Sequence, residues 1–484
     1  MGQAHDVDPL AAAIAPPPDE TPAAREARLQ AEAEAKRISE SIDEQLKTEK
    51  AALKKKKPIK VLLLGQSESG KSTTLKNFQL TYSPKAWAEE RESWRTVIQL
   101  NLVRNMNTIL DLLAEEMTAA TQLHVSSASD SSDDEEAPIA PPSRSDGPLR
   151  FTDQHALLKL RLAPLHGLQK DLEARLGIAS HEEKENIAAD GYYLGRWGIH
   201  VSRPQEAFIR SHHAWKSQVM APLTGSSQRY REMKAREATE IIAGCAEDMR
   251  AIWEDSIIQQ MLRKRKLRME ATSGFFLNDV ERIAARDYEP SDDDVVRARL
   301  RTLGVQEYKI KFEKGPAAGS EWCLYDVGGS RTQRAAWFPY FDDCDAIIFL
   351  APVNCFDERL AEDRKVNRLE DSYLWWKLVC SSKLLARTEI ILFLNKCDLL
   401  DQKLQSGVLV KEHVRSFGDR PNDVDTVSKY FALHFKDIMK RNSLQTRQFR
   451  VYYTSVIDTK ATAVTLSIVE EAILRAHLVA ADLA

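Results

Sequence analysis

The chain has 484 residues, of which 43% are apolar and 29% charged. This excludes collagen-like, silk-like and wholly disordered chains, and the length is that of two to four domains. Lys and Arg total 68 against 72 Asp and Glu, a formal charge of −4, so no overall basic character points to nucleic acid. No apolar, uncharged run reaches the roughly 18 residues of a membrane-spanning helix. The start lacks the charged region and apolar core of a secretion signal. The six cysteines (245, 323, 344, 355, 380 and 397) are scattered with no C-x-x-C pair. They read as reduced thiols of a cytosolic protein and not as a disulfide frame or zinc site.

The first twenty residues, rich in Ala, Pro and Asp, read as flexible. From about Thr21 to Lys57 strong helix formers take over, with Ile38, Ile42, Leu46 and Leu53 in one narrow apolar stripe. Such a stripe needs cover, either from a partner protein or from the chain's own core. Lys54 to Lys57 close the segment as a solvated helix end favoured by the dipole. Val61 to Leu64 then reads as a buried strand running into a glycine-bearing loop.

A long, mostly helical stretch follows, with helices expected at 86–117, about 205–221, 228–265 and 275–285 from apolar periodicity. It is broken by an acidic, Ser-rich segment, Ser126 to Glu136, followed by Pro138, Pro141 and Pro142. This segment cannot bury enough apolar surface to fold, which makes about 118–150 a disordered insertion. From Val295 short apolar runs alternate with helices: Cys323–Tyr325, Ala346–Leu350, Ile390–Leu394 and Phe449–Tyr453. Strands covered on both faces read this way and predict a parallel α/β sheet. A last helix, about Ala461 to Leu478, places Leu466, Val469, Ile473 and Ala476 on one side.

Gly65-Gln66-Ser67-Glu68-Ser69-Gly70-Lys71-Ser72 matches G-x-x-x-x-G-K-[ST] directly after a strand, where a phosphate loop must lie. Backbone N–H groups and a helix N-terminus converge on phosphates there. Lys71 reaches the β and γ phosphates, and Ser72 offers a hydroxyl to Mg²⁺. Further on, Asp326-Val327-Gly328-Gly329 supplies a carboxylate for the metal and a glycine N–H for the γ phosphate. Asn395-Lys396-Cys397-Asp398 follows another buried strand. An Asp there accepts both N–H groups of a guanine edge, and the wrong base would leave that carboxylate unpaired. This order argues against a P-loop kinase or ATPase, the competing enzyme class.

These three elements, with a long helical insertion after the first, resemble the alpha subunits of heterotrimeric G proteins. The likeness covers roughly 25–120 and 245–480. Glu68 to Thr73 has that family's form of the phosphate loop, 294–305 resembles its switch I and 326–337 its switch II. Phe276 to Asp279 is similar to the end of its helical domain, Leu360 to Asp363 to the text after its fourth strand, and Thr454 to Thr459 to its last guanine loop.

The resemblance implies a Ras-like P-loop GTPase domain in two parts, 58–77 and 295–484. An inserted all-α domain occupies 78–294, and 1–57 forms a flexible start and N-terminal helix. It implies nucleotide contacts from Gly65, Glu68, Ser69, Gly70, Lys71, Ser72, Thr73, Val296, Arg297, Arg299, Thr302, Asp326, Gly328, Gly329, Asn395, Lys396, Asp398 and the N–H of Val456. Ser72, Thr302 and Asp326 would face Mg²⁺. Arg299, paired with Glu68, would be the built-in arginine finger, a device worth ~10³–10⁵ in rate. Trp337 would report switch II movement by fluorescence.

It further implies GTP and GDP as bound nucleotides, with a beta–gamma dimer, a membrane receptor and a downstream effector as partners. The location would be cytoplasmic, with peripheral association at the inner face of the plasma membrane. The departures bear on chemistry. Ser330 replaces the family's water-orienting glutamine, Ser67 the glycine usual at the third position of its phosphate loop, and Val456 an alanine. Gly2 is present, but Asp6 replaces the Ser/Thr of the myristoylation pattern, and no cysteine lies near either end. Hydrolysis is therefore expected to be slow, and the alternative is a hydrolysis-deficient, GTP-bound scaffold.

Overall fold

The computed structural model describes residues 21–55, 58–128, 149–176, 208–210, 226–265, 267–272, 274–303, 305–360 and 363–480. Two units divide the chain, Met1–Pro58 and Ile59–Ala484. The first contains one long helix, α1 (Pro22–Lys55), as its run of helix formers predicts. Leu29, Ile38 and Ile42 on it are half exposed.

The second unit opens with β1 (Ile59–Gly65) and α2 (Lys71–Tyr82). Then come α3 (Pro84–Arg91), α4 (Arg95–Ala128), α5 (Asp153–Leu162), α6 (Pro164–Arg175) and β2 (Phe208–Arg210). They are followed by α7 (Ser226–Gly244), α8 (Ala246–Glu254), α9 (Ser256–Lys264), α10 (Val280–Ile283) and α11 (Asp292–Arg297). The rest reads β3 (Arg301–Leu303), β4 (Val305–Lys311), β5 (Glu321–Val327), a 3₁₀ stretch (Arg331–Tyr340), β6 (Ala346–Pro352) and α12 (Arg368–Ser381). After β7 (Glu389–Asn395) come α13 (Cys397–Gln405), α14 (Val424–Asn442), β8 (Arg450–Thr454) and α15 (Thr459–Ala480).

Six strands form one sheet in the order β4-β5-β1-β6-β7-β8. All neighbours are parallel except β4 and β5, which are antiparallel. The expectation of a purely parallel sheet is corrected at that edge. Val305-Gln306-Glu307-Tyr308-Lys309-Ile310-Lys311 lacks an apolar run because Glu307, Lys309 and Lys311 are exposed at the margin of the sheet. The inner strands fit the sequence reading. Leu62 and Leu64 enter the core on one face of the sheet, and Ile59, Val61 and Leu63 the core on the other. Burying each such aliphatic side chain contributes about 1.5–3 kcal/mol.

The region between β1 and β3 has its own core, running from Trp87 to Ala298. Its helices are more broken than periodicity alone predicts. The expected helix at 86–117 is interrupted at Glu92–Trp94, where the Ser93 hydroxyl donates to the Glu90 carbonyl at 2.6 Å and competes with the helical ladder. The expected helix at 228–265 is three helices. Gly244 ends the first, and Asp255 caps the third by accepting from the Ile257 and Ile258 N–H groups, as an N-cap does. At 275–285 only a 3₁₀ turn and the four-residue α10 form.

The insertion is also not wholly helical. Phe208–Arg210 pairs in parallel with β3, since an aromatic and a β-branched residue favour extended backbone. The expected helix at about 205–221 is thus a strand at 208–210, and its remainder lies outside the described residues. The expected disordered stretch is likewise shorter at its start. α4 continues to Ala128, because extending a formed helix is far easier than nucleating one. Residues 129–148, with most of the acidic segment, lie outside the described residues, as do residues 1–20, 56–57 and 481–484. Among the described residues no helix is long and apolar enough to cross a membrane.

Candidate functional site

β1 delivers the chain to a loop whose backbone few side chains would tolerate. Glu68 has φ 63° and Gly70 φ 102°. A Cβ at Gly70 would collide with the Asn395 amide, so only glycine lets the loop approach the strand end that carries Asn395. Lys71 opens α2 and turns back. Its Nζ donates to the carbonyls of Gly65 (3.0 Å) and Gln66 (2.7 Å). Next to it the Ser72 hydroxyl donates to Asp326 Oδ2 at 2.5 Å, bringing the end of β5 to the foot of α2.

Asn395, at the end of β7, is wholly buried and its amide joins three segments. Nδ2 donates to the Ser69 carbonyl (2.7 Å), while Oδ1 accepts from the Val456 N–H (3.2 Å) and the Thr454 hydroxyl (3.1 Å). Asn77 of α2 adds a fourth tie by donating to the Val456 carbonyl at 2.8 Å. Asn395 therefore organises the loops around the cleft. Lys396 follows in the left-handed region, with φ 67°. Burial holds its ammonium below the usual lysine value, against the pull of Glu68.

Arg299 arrives between α11 and β3. Its guanidinium donates to Glu68 Oε1 at 3.2 Å, as the expected pairing requires. Its backbone is gripped by Asn101 of α4, which accepts from the Arg299 N–H (2.7 Å) and donates to its carbonyl (2.9 Å). Just upstream, Asp294 is fully buried and receives Arg282, Arg297, the Tyr288 hydroxyl and the Ser291 N–H. Burial opposes its charge, yet these partners hold its carboxyl well below the ordinary carboxylate range. On the other side of the loop Arg368 donates to the Ser67 carbonyl (3.0 Å) and to Glu358 (2.8 Å).

These groups surround a cleft of about 410 Å³. Of the expected residues, Glu68, Gly70, Lys71, Ser72, Thr73, Val296, Arg297, Arg299, Asp326, Gly328, Gly329, Asn395, Lys396, Asp398 and Val456 line it. Gly65 and Ser69 stand behind the loop and do not. Ser330 is buried, 5% exposed, and is also absent from the lining, whereas Ser67 is part of it. The backbone of Thr302 lies in β3, and its side chain is outside the described residues.

Sequence reasoning passes over Asn101, Asn77, Lys76 and Arg368. Asn101 leaves a readable signal, a polar residue between the wholly buried Leu100 and Leu102. Lys76 leaves none, although its buried ammonium caps the Val295 and Ala298 carbonyls (2.9 and 2.6 Å) and lies 4.1 Å from the centre of the Trp94 ring.

A phosphate loop between β1 and α2, a carboxylate at the end of β5 and an Asn-Lys-x-Asp at the end of β7 define a P-loop nucleotide-binding protein of the Ras-like kind. The model of the G-protein alpha subunit family matches residues 36–473. The chain is 30% identical to the guanine nucleotide-binding protein alpha-4 subunit of Mycosarcoma maydis, covering 97% of this chain and 94% of that one. It is 26% identical to the mouse guanine nucleotide-binding protein subunit alpha-13, over 92% of each chain. Identity to the alpha-1 subunit of M. maydis is also 26%, over 91% and 94%. The chain belongs to the G-protein alpha subunit family and is a GTP-binding signal transducer; members of that family are GTPases.

Proposed function

We propose that the cleft between α2, the 296–300 segment and the ends of β1, β5 and β7 holds GTP or GDP with Mg²⁺, and that the chain hydrolyses GTP slowly. The observation that carries this reading is the split among the expected catalytic groups. Arg299 and Glu68 face the cleft as a pair, while Ser330 lies buried outside its lining. Charge on the transferring phosphate then has its guanidinium, but nothing in the glutamine's place reaches an attacking water.

The oxygen donors at the foot of α2 suit Mg²⁺, which takes one or two protein oxygens and completes its octahedron with phosphate and water. Ser72 and Asp326, in mutual contact, would hold it, with Thr302 as the further ligand implied by family. Among the described residues no group of three His, Cys, Asp or Glu gathers into a metal cage, which fits a metal brought with its nucleotide. When bound, Mg²⁺ would offset the charge of the phosphate oxygens. Lys71 would exchange its two loop carbonyls for β and γ phosphate oxygens, and Asp398 would accept from the guanine edge. The Val456 N–H, which donates to Asn395 Oδ1 at 3.2 Å, would turn to the base carbonyl, while its added methyls crowd the same corner.

For partners, the half-exposed Ile38 and Ile42 on α1 support a beta–gamma dimer on that helix and on the 326–337 segment. A membrane receptor would engage α15, and an effector would read the nucleotide state. Location would be cytoplasmic, with peripheral attachment at the inner face of the plasma membrane. Competition between GTP and ATP analogues tests the site: preference for guanine is expected, and equal affinity would overturn it. A protein that binds GTP in single turnover and releases no phosphate would instead be the GTP-bound scaffold, the reading that the burial of Ser330 favours next.

A further inference from the structure

β3 (Arg301–Leu303) stands outside the six-stranded sheet, and the strand it pairs with is β2, a piece of the helical insertion. The register is parallel, with Phe208 opposite Arg301, Ile209 opposite Thr302 and Arg210 opposite Leu303. Thr302, the residue implied as a further ligand of Mg²⁺, is therefore the middle residue of the pairing. The stretch that carries it is anchored at both ends. Upstream, the Arg299 backbone is gripped by Asn101 of α4 (2.7 and 2.9 Å), and Arg299 and Leu300 line the cleft. Downstream, β4 runs against β5 with Val305 opposite Val327 and Gln306 opposite Asp326, whose carboxylate accepts from the Ser72 hydroxyl at 2.5 Å. The chain thus passes from the rim of the cleft to the strand beside Asp326. Between those anchors β2 is, among the described residues, the strand that pairs with it.

The N–H and C=O groups of a lone strand turn to water, and ordering each of its residues then costs conformational entropy. Pairing with β2 meets that cost before any ligand arrives, which is the advantage of a preorganised site. Mg²⁺ gains most from it, because it accepts only near-octahedral placements of its oxygens. A two-stranded ladder is marginally stable by itself, so its population responds to whatever binds the paired form. The linkage is reciprocal: what the ladder gives to metal binding, the metal gives back to the ladder.

We propose that residues 208–210 are a positioning strand: by pairing with β3 they hold the backbone of Thr302 in place for the metal of the bound nucleotide. The helical insertion thereby sets the Mg²⁺ requirement of the GTP form. This rests on the reading of the cleft as a site for GTP with Mg²⁺ and of Thr302 as a ligand.

The test uses the full chain with a non-hydrolysable GTP analogue, Mg²⁺ titrated by calorimetry and amide hydrogen exchange read over 301–303. Phe208→Pro, Ile209→Pro and Arg210→Pro together leave β2 no N–H to donate. Exchange at 301–303 should rise about 10-fold or more. The Mg²⁺ concentration for half-saturation should rise about 10-fold, as when the competent backbone is populated a tenth of the time. Phe208→Tyr, Ile209→Val and Arg210→Thr together keep strand formers on the same backbone and should stay within about 3-fold of the wild type in both measurements. Thr302→Ala keeps the ladder and removes the hydroxyl. In that background the proline substitutions should still speed exchange but no longer raise the Mg²⁺ requirement. A proline variant that exchanges at 301–303 or takes up Mg²⁺ as the wild type does overturns the proposal. So does a Mg²⁺ effect of equal size in the Thr302→Ala background, which marks a merely structural role. Thr302→Ala with an unchanged Mg²⁺ requirement would strike the ligand reading and the proposal with it, and a wild type that does not bind the analogue would strike the nucleotide-site reading itself.

Discussion

Asn101 closes two hydrogen bonds on the backbone of Arg299, accepting from its N–H at 2.7 Å and donating to its carbonyl at 2.9 Å. The guanidinium end is fixed separately, by Glu68. A side chain of the helical insertion thus sets where the Arg299 side chain, the proposed finger, starts, and Glu68 sets where it ends. Asn101→Ala should leave the fold intact while letting Arg299 drift. A misplacement near 1 Å costs about 100-fold in rate, so single-turnover GTP hydrolysis should fall by ~10- to 100-fold. Affinity for GDP should move by less than about 3-fold, because a positioning loss acts on the transition state and not on ground-state binding. A rate equal to the wild type would show that the backbone grip is idle.

The buried Ser330 and the cleft-facing Ser67 predict a gain of function. Ser330→Gln with Ser67→Gly restores an amide that can hold the water and removes a side chain beside the γ phosphate. Phosphate release in a single turnover should rise at least ~10-fold, equivalent to ~1.4 kcal/mol of barrier. Should the unmodified chain already turn over as fast as the double variant, another group is placing the water.

Asp294 predicts a pH dependence. Its partners depress its folded pKa, so the stability it contributes is fully present above the unfolded value of about 3.9. That contribution is lost as pH falls through the lower folded value. Asp294→Asn leaves Arg282 and Arg297 with Asp279 as their one shared carboxylate and should cost about 3 kcal/mol at neutral pH. Denaturant melts of both proteins should run at a constant offset from pH 5 to 8 and converge below about pH 4. An offset that widens on acidification would contradict the depressed pKa.

Removal of residues 1–50 takes away most of α1 and its Ile38 and Ile42 stripe while leaving the unit Ile59–Ala484 whole. Co-purification with a beta–gamma dimer should disappear while nucleotide binding remains. Unchanged co-purification would place that partner elsewhere.

Legibility in the sequence follows how local each signal is. The phosphate loop, Asp326 and Asn395 were readable because their chemistry needs fixed residue types at fixed spacing next to buried strands. The inner strands were readable because burial on both faces demands unbroken apolar runs. β4 was hidden because an edge strand carries charges, and the helix breaks at Ser93 and Asp255 because capping can interrupt an otherwise good 3.6-residue pattern. The role of Asn395 was only half legible. Its motif points to the base, while its amide is spent on Ser69, Val456 and Thr454, contacts spanning up to 326 residues of sequence. Asn101 depends on a partner 198 residues away, and no local spacing announces such a pair.

The exposed Glu307, Lys309 and Lys311 on β4 bear on how the protein behaves in a crowded solution. An unpaired strand margin is a template on which another chain can add a strand and begin to aggregate. Mixed charges along that margin make an incoming strand bury an ammonium or carboxylate it cannot match, and neighbouring molecules are turned away. The residues that disguised this strand in the sequence are thus the ones that keep the sheet from growing at the β4 edge.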